Sequence, residues 1–503
     1  MRGLIALRQL LCHAALAARQ EVHRFGWRGA WRRLPWHLGQ LPSRLRMLGQ
    51  PASAVEGAAF FTTAVAAREA RPTVRPTQAG STPLRLAFAV HQYLPEFSGG
   101  TERAAFEVAR MAMRAGHHVE VICGVVDERR HGGTPHPRVP GLGWREFEGI
   151  GVTLVPAGLL GLPAFTGIDV HPPALGTLER WLREGHFDVL HVWHPMRMAT
   201  LAAAAHRAGL PVVMTLTDFF PACRRYFLVD PEGGECPGPD RGNRCAHRCP
   251  APGWDLPASL SRHRTAAAWL ASASVRMAPS AFVAERLKQA FEGQEFEVLP
   301  HGVAVETLRA AAQSTVSPVP PAAPGVLRLL FVGTILPAKG LDLLLRALVL
   351  LPGLPLELIV AGPFGHDAGH EDEIRRLAAS DGRVKLLGKL TREELAALMS
   401  CSDLLCLPSR VPESFSLVFH EAAALGLPAL VAARGAPARA LNHGGGRVQG
   451  DHPQDWARAL QAWAEDVDLR ARWRAGVICP SSVEEEAQRY MLIYRSALAR
   501  ADA

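Results

Sequence analysis

Two glutamates, Glu413 and Glu421, lie eight positions apart in the stretch of the chain that is best suited to chemistry. Eight residues span just over two helical turns, so a carboxylate in the loop before a helix and one inside that helix can point the same way. The residues around the predicted helix start are Ser414, Phe415, Ser416 and Leu417. Backbone N–H groups at such a helix start would bind a diphosphate or a sugar. A solvated amphipathic helix explains Glu421 poorly, because its sequence neighbours are small or apolar.

Two further loops, each directly after a predicted strand, offer backbone amides to an anion. In the first, Gly99 and Gly100 precede a predicted helix, whose positive dipole end would favour a phosphate. The pair taken alone also fits an ordinary turn before a helix. In the second, Gly333 and Thr334 are followed by Lys339, which can neutralise a phosphate as a point charge. The first loop does not match G-x-G-x-x-G, which argues against a nicotinamide- or flavin-dependent oxidoreductase.

These loops connect strands and helices that alternate along the chain. The predicted strands span 84–90, 118–124, 187–192 and 211–216, and in a second series 327–332, 356–362, 384–388, 403–409 and 428–432. Amphipathic helices between them, such as 102–115 and 391–400, indicate parallel doubly wound sheets. Ligands of such sheets bind beyond the carboxyl ends of the strands. We therefore expect an α/β fold with two Rossmann-like domains that face each other across a cleft.

Changes in composition divide the chain into five segments. They are a basic, Trp- and Arg-rich N-terminal arm with its linker (1–83), a first Rossmann-like domain (84–303), a linker rich in Pro and Ala (304–325), a second Rossmann-like domain (326–481) and a C-terminal helix that can cross back to the first domain (482–503). A chain of 503 residues is too long for one core and fits two or three domains of ordinary size, because a single core rarely grows beyond about 300 residues.

The order and spacing of three motifs resemble those of the retaining glycosyltransferases with the GT-B fold, family 4 type, also described as glycosyl transferases group 1. The matching residues are Pro95 with Gly99-Gly100-Thr101-Glu102, Val332-Gly333 with Lys339-Gly340 and Leu344-Leu345, and Glu413-x7-Glu421 with Gly426-Leu427-Pro428. The resemblance covers residues 84 to about 495. The paired glutamates are its most specific element.

The resemblance implies an enzyme that moves a sugar from a nucleotide-sugar donor to a hydroxyl group with retention of the anomeric configuration. The acceptor would be a saccharide or a lipid-linked sugar in polysaccharide or glycolipid assembly. The domain 84–303 would bind the acceptor and the domain 326–481 the donor, and catalysis would require no cofactor. The alternative is a scaffold protein of a polysaccharide assembly system that binds nucleotide-sugars without turnover.

The resemblance also implies roles for single residues. Gly99 and Gly100 would contact the donor phosphates or the transferred sugar, and Lys339 would hold the diphosphate in place of a metal ion. Glu413 would accept hydrogen bonds from the hydroxyls of the donor sugar, and Glu421 from those of the ribose. Further donor contacts would come from Gly333, Thr334, Ser414, Phe415, Ser416 and Leu417, with the backbone of 385–390 beside the base.

Two positions depart from the family's pattern. The family often has an Arg where this chain has Thr334, so one phosphate-binding cation is missing unless Arg410 or another group supplies it. It commonly has a His where this chain has Thr217. Asp218, and His194 at the end of the neighbouring predicted strand, are therefore further candidates for catalytic residues. Both departures favour the scaffold alternative, whereas the lysine and the paired glutamates favour an enzyme.

Four of the nine cysteines cluster within 27 residues. They are Cys223, Cys236, Cys245 and Cys249. Four thiols in a loop rich in Gly and Pro suit a tetrahedral zinc ion that orders the loop. The spacing lacks a C-x2-C pair, so reduced thiols or two disulfides are equally consistent with it. Since the loop follows Asp218, we expect it to shape the acceptor site, and whether the chain binds a metal is left open.

The charge of the chain is concentrated at its N-terminus. Thirteen Arg and three Glu give residues 1–85 a net charge of +10, which leaves −2 of the total +8 for residues 86–503 and argues against nucleic-acid binding. Trp27, Trp31 and Trp36 among these arginines suit an anionic membrane surface, although an arm that packs on the body or stays loose is the other interpretation. Sparse cysteines and the lack of a long apolar run predict a cytoplasmic protein, which the arm could hold at the inner face of the membrane.

Overall fold

The computed structural model describes residues 61–62, 82–125, 133–156, 159, 168–249 and 255–501. Residue contacts divide the chain into two compact units. The first-sheet unit comprises the described residues up to Ala304, together with Pro412–Leu417 and the chain from Ser481 onward. The second-sheet unit comprises Val305–Val411 and Val418–Pro480. Apart from residues 61–62 and 82–83, the predicted basic arm lies outside the described residues, and its interaction with a membrane stays a prediction.

A nine-stranded sheet forms the centre of the first-sheet unit. Its strands are β1 (Arg85–Val90), β2 (His118–Val125), β3 (Thr134–Pro135), β4 (Gly143–Phe147), β5 (Ile150–Pro156), β6 (Val189–Val192), β7 (Val212–Thr215), β8 (Val275–Ala278) and β9 (Glu297–Val298). Their spatial order is β3-β4-β5-β2-β1-β6-β7-β8-β9. Strand β1 pairs in parallel with β2 and β6, so that Leu86 lies opposite both Val119 and Val189. The neighbouring strands β2, β1, β6, β7, β8 and β9 all pair in parallel, as the alternation of strands and helices predicted.

The sequence pattern did not predict the edge of this sheet that β3, β4 and β5 form. Strand β4 pairs antiparallel with both β3 and β5, while β5 pairs in parallel with β2. No side chain of β4 is buried, so this strand lacks the apolar run by which a strand is recognised. The first sheet is therefore mixed rather than wholly parallel.

Between β1 and residue 300, the described ranges contain six α-helices. They are α1 (Gly100–Arg114), α2 (Pro172–Glu184), α3 (Ala199–Ala208), α4 (Asn243–Arg248), α5 (Leu256–Ser272) and α6 (Ala281–Ala290). Helix α1 has Glu102 in its first turn and Arg114 in its last turn, which complements the helix dipole at both ends. Its apolar face packs into the core that the side chains of β1 and β2 line, including Phe88 and Val121.

The second-sheet unit is built on a sheet of parallel strands in the order β12-β11-β10-β13-β14-β15. In chain order these strands are β10 (Leu327–Val332), β11 (Leu356–Ala361), β12 (Val384–Gly388), β13 (Leu404–Leu407), β14 (Ala429–Ala432) and β15 (Gly445–Val448). The helices are α7 (Val305–Ser314), α8 (Leu341–Val349), α9 (Ala368–Ala379), α10 (Arg392–Ser400), α11 (Leu417–Ala424), α12 (Gly435–Ala440), α13 (Pro453–Glu465) and α14 (Val467–Ala475). Helix α7 lies inside the predicted linker 304–325, so part of that linker is regular structure. The prediction of an α/β fold with two Rossmann-like domains is confirmed.

The last helix, α15 (Val483–Ala501), belongs to the first-sheet unit. Tyr490 and Tyr494 of this helix are buried. The hydroxyl of Tyr490 lies 2.9 Å from Thr215 Oγ1, and the hydroxyl of Tyr494 lies 2.6 Å from His191 Nδ1. Glu486 accepts a hydrogen bond from the backbone N–H of Gly302 at 2.8 Å. These buried contacts make α15 an integral part of the core beneath β6 and β7. Within the described ranges, no helix is both long and apolar enough to span a membrane.

Candidate functional site

The loop between β1 and α1 carries the first glycine motif. Helix α1 begins at Gly100, Gly99 is its N-cap residue, and both glycines are exposed. Glu96 in this loop forms an ion pair with Arg145 of β4, whose Nη2 also donates to the carbonyl of Leu94 at 2.5 Å. The antiparallel edge that the sequence pattern missed therefore anchors the loop that we expect to contact the donor.

His194 and Asp218 meet beyond the carboxyl ends of β6 and β7. The distance from His194 Nε2 to Asp218 Oδ2 is 2.9 Å. Because the N–H of Met196 donates to His194 Nδ1 at 3.1 Å, Nδ1 is the acceptor and Nε2 carries the proton towards Asp218. The N–H of Phe220 donates to the other oxygen of Asp218 at 2.8 Å. The Asp218 side chain is still 25% exposed, so it can accept a hydrogen bond from a bound hydroxyl group.

A histidine that sequence reasoning left without a role lies against this pair. The side chain of His91 is only 13% exposed, and its ring centroid lies 4.3 Å from that of His194. Removal from water lowers the pKa of His91 well below its usual value, and the neighbouring His194 and Arg197 lower it further. His91 directly follows β1, so its position at the carboxyl end of a central parallel strand was a signal that could have identified it.

Glu102 is the buried carboxylate of the same region. Its Oε1 lies 3.6 Å from His91 Nε2 and makes no hydrogen bond to any residue that the structure describes. Burial raises the pKa of Glu102, although hydrogen bonds from Gln92 and from backbone groups oppose that shift. The first-sheet unit thus holds two histidines and two carboxylates, all within one cluster that we call the strand-end cluster (His91, Glu102, His194 and Asp218).

Thr217, which stands where the family commonly has His, is buried next to Asp218. Thr101 Oγ1 donates to Thr217 Oγ1 at 2.9 Å and so connects the start of α1 to the end of β7. A hydroxyl pair of this kind positions two elements but offers no ring nitrogen to a substrate. His194 supplies an imidazole to the same cluster from the neighbouring strand.

In the second-sheet unit, the loop after β10 brings glycine backbone and the side chain of Lys339 together. A short 3-10 helix, Pro337–Lys339, carries this lysine, and its Cδ lies 4.0 Å from the position that a Cβ of Gly333 would occupy. Gly340 has φ +69°, and a Cβ there would lie 2.0 Å from the carbonyl oxygen of Pro408. Glycine is therefore required at position 340, where the backbone turns into α8.

Arg410 holds the 3-10 helix in place. Its guanidinium binds both carboxylate oxygens of Asp342, at 2.7 and 2.6 Å, and its Nη1 donates to the carbonyl of Pro337 at 2.9 Å. Its backbone N–H donates to the carbonyl of Ala338 at 2.8 Å. The charge of Arg410 is thus neutralised by Asp342, which argues against Arg410 as the cation that replaces the family's Arg at Thr334. Arg410 positions Lys339 instead.

The segment with the paired glutamates begins in one unit and ends in the other. Pro412–Leu417 is grouped with the first-sheet unit and the residues after it with the second-sheet unit. Ser280, the N-cap residue of α6, donates its hydroxyl to the carbonyl of Ser414 at 2.7 Å. The ring of Phe415 lies edge-on to that of His301, with centroids 5.1 Å apart. Two side chains of the first-sheet unit therefore position the backbone between the glutamates.

The backbone is strained where this segment enters α11. Ser416 has φ +72°, in the left-handed region that serine rarely adopts, and such strain tends to occur at ligand-binding sites. Glu413 is half-buried, and Glu421 in the second turn of α11 is only 5% exposed. The binding of one donor by both carboxylates stays a prediction.

Solved structures identify the class to which this architecture belongs. A glycosyltransferase from Rickettsia africae aligns with a TM-score of 0.58 at 15% identity, covering 83% of this chain and 99% of that one. The Anabaena protein Alr3699/HepE in complex with UDP and glucose aligns with a TM-score of 0.56 at 16% identity, covering 82% and 99%. At such low identity the likeness shows the fold alone, which is the GT-B fold.

Family models then identify the family. The model of Glycosyltransferase Family 4 matches residues 98–307, and the model of Glycosyl transferases group 1 matches residues 317–477. Together they match well over half of the chain. The protein therefore belongs to this family of glycosyltransferases, as its motifs indicated.

Curated relatives match only part of their own length. The D-inositol 3-phosphate glycosyltransferase of Nocardia farcinica is 34% identical over 230 residues, which is 43% of this chain and 51% of the relative. The protein of the same name from Rhodococcus erythropolis is 41% identical over 149 residues, 28% of this chain and 34% of the relative. The chain thus spans between a third and a half of these relatives, so their acceptor is not assigned to it.

Proposed function

We propose that this protein transfers a sugar from a nucleotide-sugar donor to a hydroxyl acceptor, with retention of configuration, in the assembly of a polysaccharide or glycolipid. The observation that carries the proposal is the placement of Lys339 beside Gly333 at the carboxyl end of β10. Membership of a glycosyltransferase family and the UDP and glucose bound to the Anabaena protein of the same fold support it.

The donor diphosphate would bind at the loop after β10. Lys339 supplies a positive charge there, and the ion pair between Arg410 and Asp342 holds the short helix that carries it. Negative charge on the diphosphate grows as its bond to the sugar breaks, so a fixed cation stabilises the transition state more than the bound donor. Thr334 can add a hydroxyl contact but no charge.

Transfer would proceed on one face of the donor sugar. The bond between the anomeric carbon and the phosphate oxygen breaks, and the acceptor oxygen bonds to the same carbon from the same side. The acceptor's hydroxyl proton passes to the departing phosphate oxygen, so this route needs no separate protein base. The protein's part is positioning and electrostatic stabilisation of the leaving group.

Asp218 and His194 would act on the sugar or the acceptor. Since His194 Nε2 donates to Asp218 Oδ2, the carboxylate is held in one orientation and keeps capacity to accept from a hydroxyl group. Glu413 and Glu421 would accept hydrogen bonds from the donor sugar and the ribose. A carboxylate that accepts from two neighbouring hydroxyls forms strong, charge-assisted hydrogen bonds.

Thermal unfolding with a panel of ligands tests the proposal. UDP, GDP or ADP should raise the unfolding temperature of the full chain, because a ligand that binds only the folded state stabilises it, and NAD should not. The stabilisation should be lost in Lys339→Ala and retained in Lys288→Ala, since Lys288 pairs with Glu295 on the exposed end of α6. If no nucleoside diphosphate stabilises the protein, the proposal is wrong.

Turnover separates the enzyme from the scaffold alternative. Release of nucleoside diphosphate from a panel of nucleotide-sugars, with an NMR assignment of the product anomer, would support the enzyme and test retention. Tight nucleotide binding without turnover on any saccharide or lipid-linked acceptor would support the scaffold instead.

If the acceptor is lipid-linked, the basic N-terminal arm would hold the protein at the membrane that contains it. The arm would bind an anionic membrane, with about 1 kcal/mol from each arginine near the surface and a further gain from its tryptophan rings. Deletion of residues 1–50, which leaves the buried Phe61 and its stacking on Trp269 in place, should release the protein from anionic vesicles in a sedimentation assay and leave activity on a soluble acceptor intact. Equal sedimentation of both proteins would exclude this role.

A further inference from the structure

One small cavity in the first-sheet unit is lined by all four clustered cysteines. Cys223, Cys236, Cys245 and Cys249 come from three separate parts of the chain between β7 and α5 and meet at this cavity. Cys245 and Cys249 lie one turn apart on and directly after α4, so their side chains share a face. Cys223 lies at the turn that follows Asp218, where its N–H donates to the carbonyl of Phe219 at 2.7 Å.

The four sulfurs are free thiols, and none of them forms a disulfide. Four reduced thiols gathered in one cavity form an arrangement that a soft divalent cation would stabilise.

Two arginines lie beside the cysteines: the half-buried Arg224 lines the same cavity, and the buried Arg262 lines an adjoining cavity that Cys245 also lines. Arg262 of α5 donates to the carbonyls of Phe220 and Pro221, at 2.5 and 2.9 Å, and Arg224 Nη2 donates to the carbonyl of Cys249 at 2.5 Å. A divalent ion with four thiolates carries a net charge of −2, which two nearby cations would offset.

We propose that Cys223, Cys236, Cys245 and Cys249 bind one structural zinc ion. Binding converts four thiols to thiolates, releases four protons to solvent and forms four Zn–S bonds, with no change of oxidation state. Among the described residues, no three of these side chains already stand in ligating geometry, so the ion draws the sulfurs together. Gly238 and Gly242, both at positive φ, form turns of the intervening loop.

The site would tie the cysteine loop to the strand-end cluster. Only four residues separate Asp218 from Cys223, and Arg262 holds the carbonyls of two of them. A zinc ion at Cys223 would therefore hold the backbone beside Asp218 in one conformation. Its influence on an acceptor rests on the proposed function, but its existence does not, because metal content is measured without substrate.

Metal analysis of the full chain tests the proposal directly. The protein purified under reducing conditions from zinc-supplemented cells should contain about one zinc per chain, and cobalt substitution should give the absorption bands of a tetrahedral thiolate site. Cys245→Ser should lose the metal, whereas Cys479→Ser, at an exposed cysteine outside the loop, should retain it.

A second measurement keeps the proposal testable if Cys245→Ser fails to fold. Chelation of the wild-type protein should increase proteolysis between residues 223 and 249, and added zinc should reverse this. Two results would overturn the proposal: wild-type protein that stays zinc-free after incubation with zinc, or an intact mass that lacks four hydrogens and so reveals two disulfides. Neither result would affect the proposed nucleotide binding.

Discussion

The two units rest on largely parallel sheets but differ in how particular buried ionisable groups are partnered. In the second-sheet unit, Arg328 is buried and donates to Glu357 at 2.7 Å, and Arg383 binds both oxygens of Asp381. In the first-sheet unit, the largely buried His91 has no acid within hydrogen-bond distance among the residues that the structure describes. In the second-sheet unit these side chains form ion pairs, whereas in the first-sheet unit burial favours the neutral form of His91.

The pKa shifts follow from this difference. Hydrogen bonds from Arg383 lower the pKa of Asp381, and those from Arg328 and Lys385 lower the pKa of Glu357 although burial opposes ionisation. Burial lowers the pKa of His91 well below its usual value. Strongly perturbed ionisable groups are typical of functional sites. The difference agrees with the proposed division into acceptor chemistry in the first-sheet unit and diphosphate binding in the second.

Substitution of Lys339 should have the largest effect and tests the assignment to the second-sheet unit. Lys339→Ala should lower kcat about 100-fold or more, because it removes a charge that stabilises the departing diphosphate. Steady-state rates of nucleotide release measure the loss. Lys288→Ala should retain full activity, and an unchanged kcat in Lys339→Ala would contradict the assignment.

Glu421 and Asp218 should separate donor from acceptor binding. Glu421→Ala should raise the donor KM by about tenfold or more with a smaller change in kcat, because its contact with the ribose is the same before and during reaction. Asp218→Asn should leave donor affinity unchanged and lower turnover. Calorimetric titration of nucleoside diphosphate into each variant measures donor affinity, and rates of nucleotide release measure turnover. Weakened nucleotide binding in Asp218→Asn would contradict the assignment of Asp218 to acceptor chemistry.

The pH dependence of stability should differ between the units. The unfolded chain binds a proton at His91 near pH 6.5, whereas the folded chain with its lowered pKa does not, so stability falls as pH drops below about 6.5, by up to about 1.4 kcal/mol per pH unit for this group. The carboxylates with lowered pKa in the second-sheet unit lose their contribution only as pH falls below about 4.5.

Urea denaturation at about pH 7 and about pH 5 measures this difference. His91→Gln should lose less stability between the two pH values than the wild type does. His443→Gln, which alters an exposed histidine of the second-sheet unit, should behave as the wild type. An equal loss in wild type and His91→Gln would show that His91 does not cause the acid sensitivity.

The smallest expected effect concerns the position where the family's histidine is replaced. Thr217→Val should destabilise the protein by about 1 kcal/mol, because Thr101 loses its hydroxyl acceptor in a partly buried site. Urea unfolding of Thr217→Val, Thr101→Val and the double variant measures the coupling. Additive effects of the two single substitutions would show that the hydrogen bond contributes nothing.

Local sequence determined the elements and the motifs. Apolar runs and helical periodicity follow from which side chains must be buried, so β10 and β12 were predicted with their observed bounds. The alternation of strands and helices predicted the parallel pairing, except at the edge that β3, β4 and β5 form. The glycine loops, Lys339 and the paired glutamates were also recognisable, because turns and helix starts depend on residues close together in the chain.

Tertiary structure alone decided which side chains meet. His194 and Asp218 are 24 positions apart, and only the parallel pairing of β6 with β7 brings them to 2.9 Å. The ion pair of Arg410 with Asp342 spans 68 positions, and it changes Arg410 from a candidate phosphate ligand into a residue that positions Lys339. The free energy of a contact between distant residues depends on the surroundings that the whole fold creates. A local sequence pattern does not specify those surroundings.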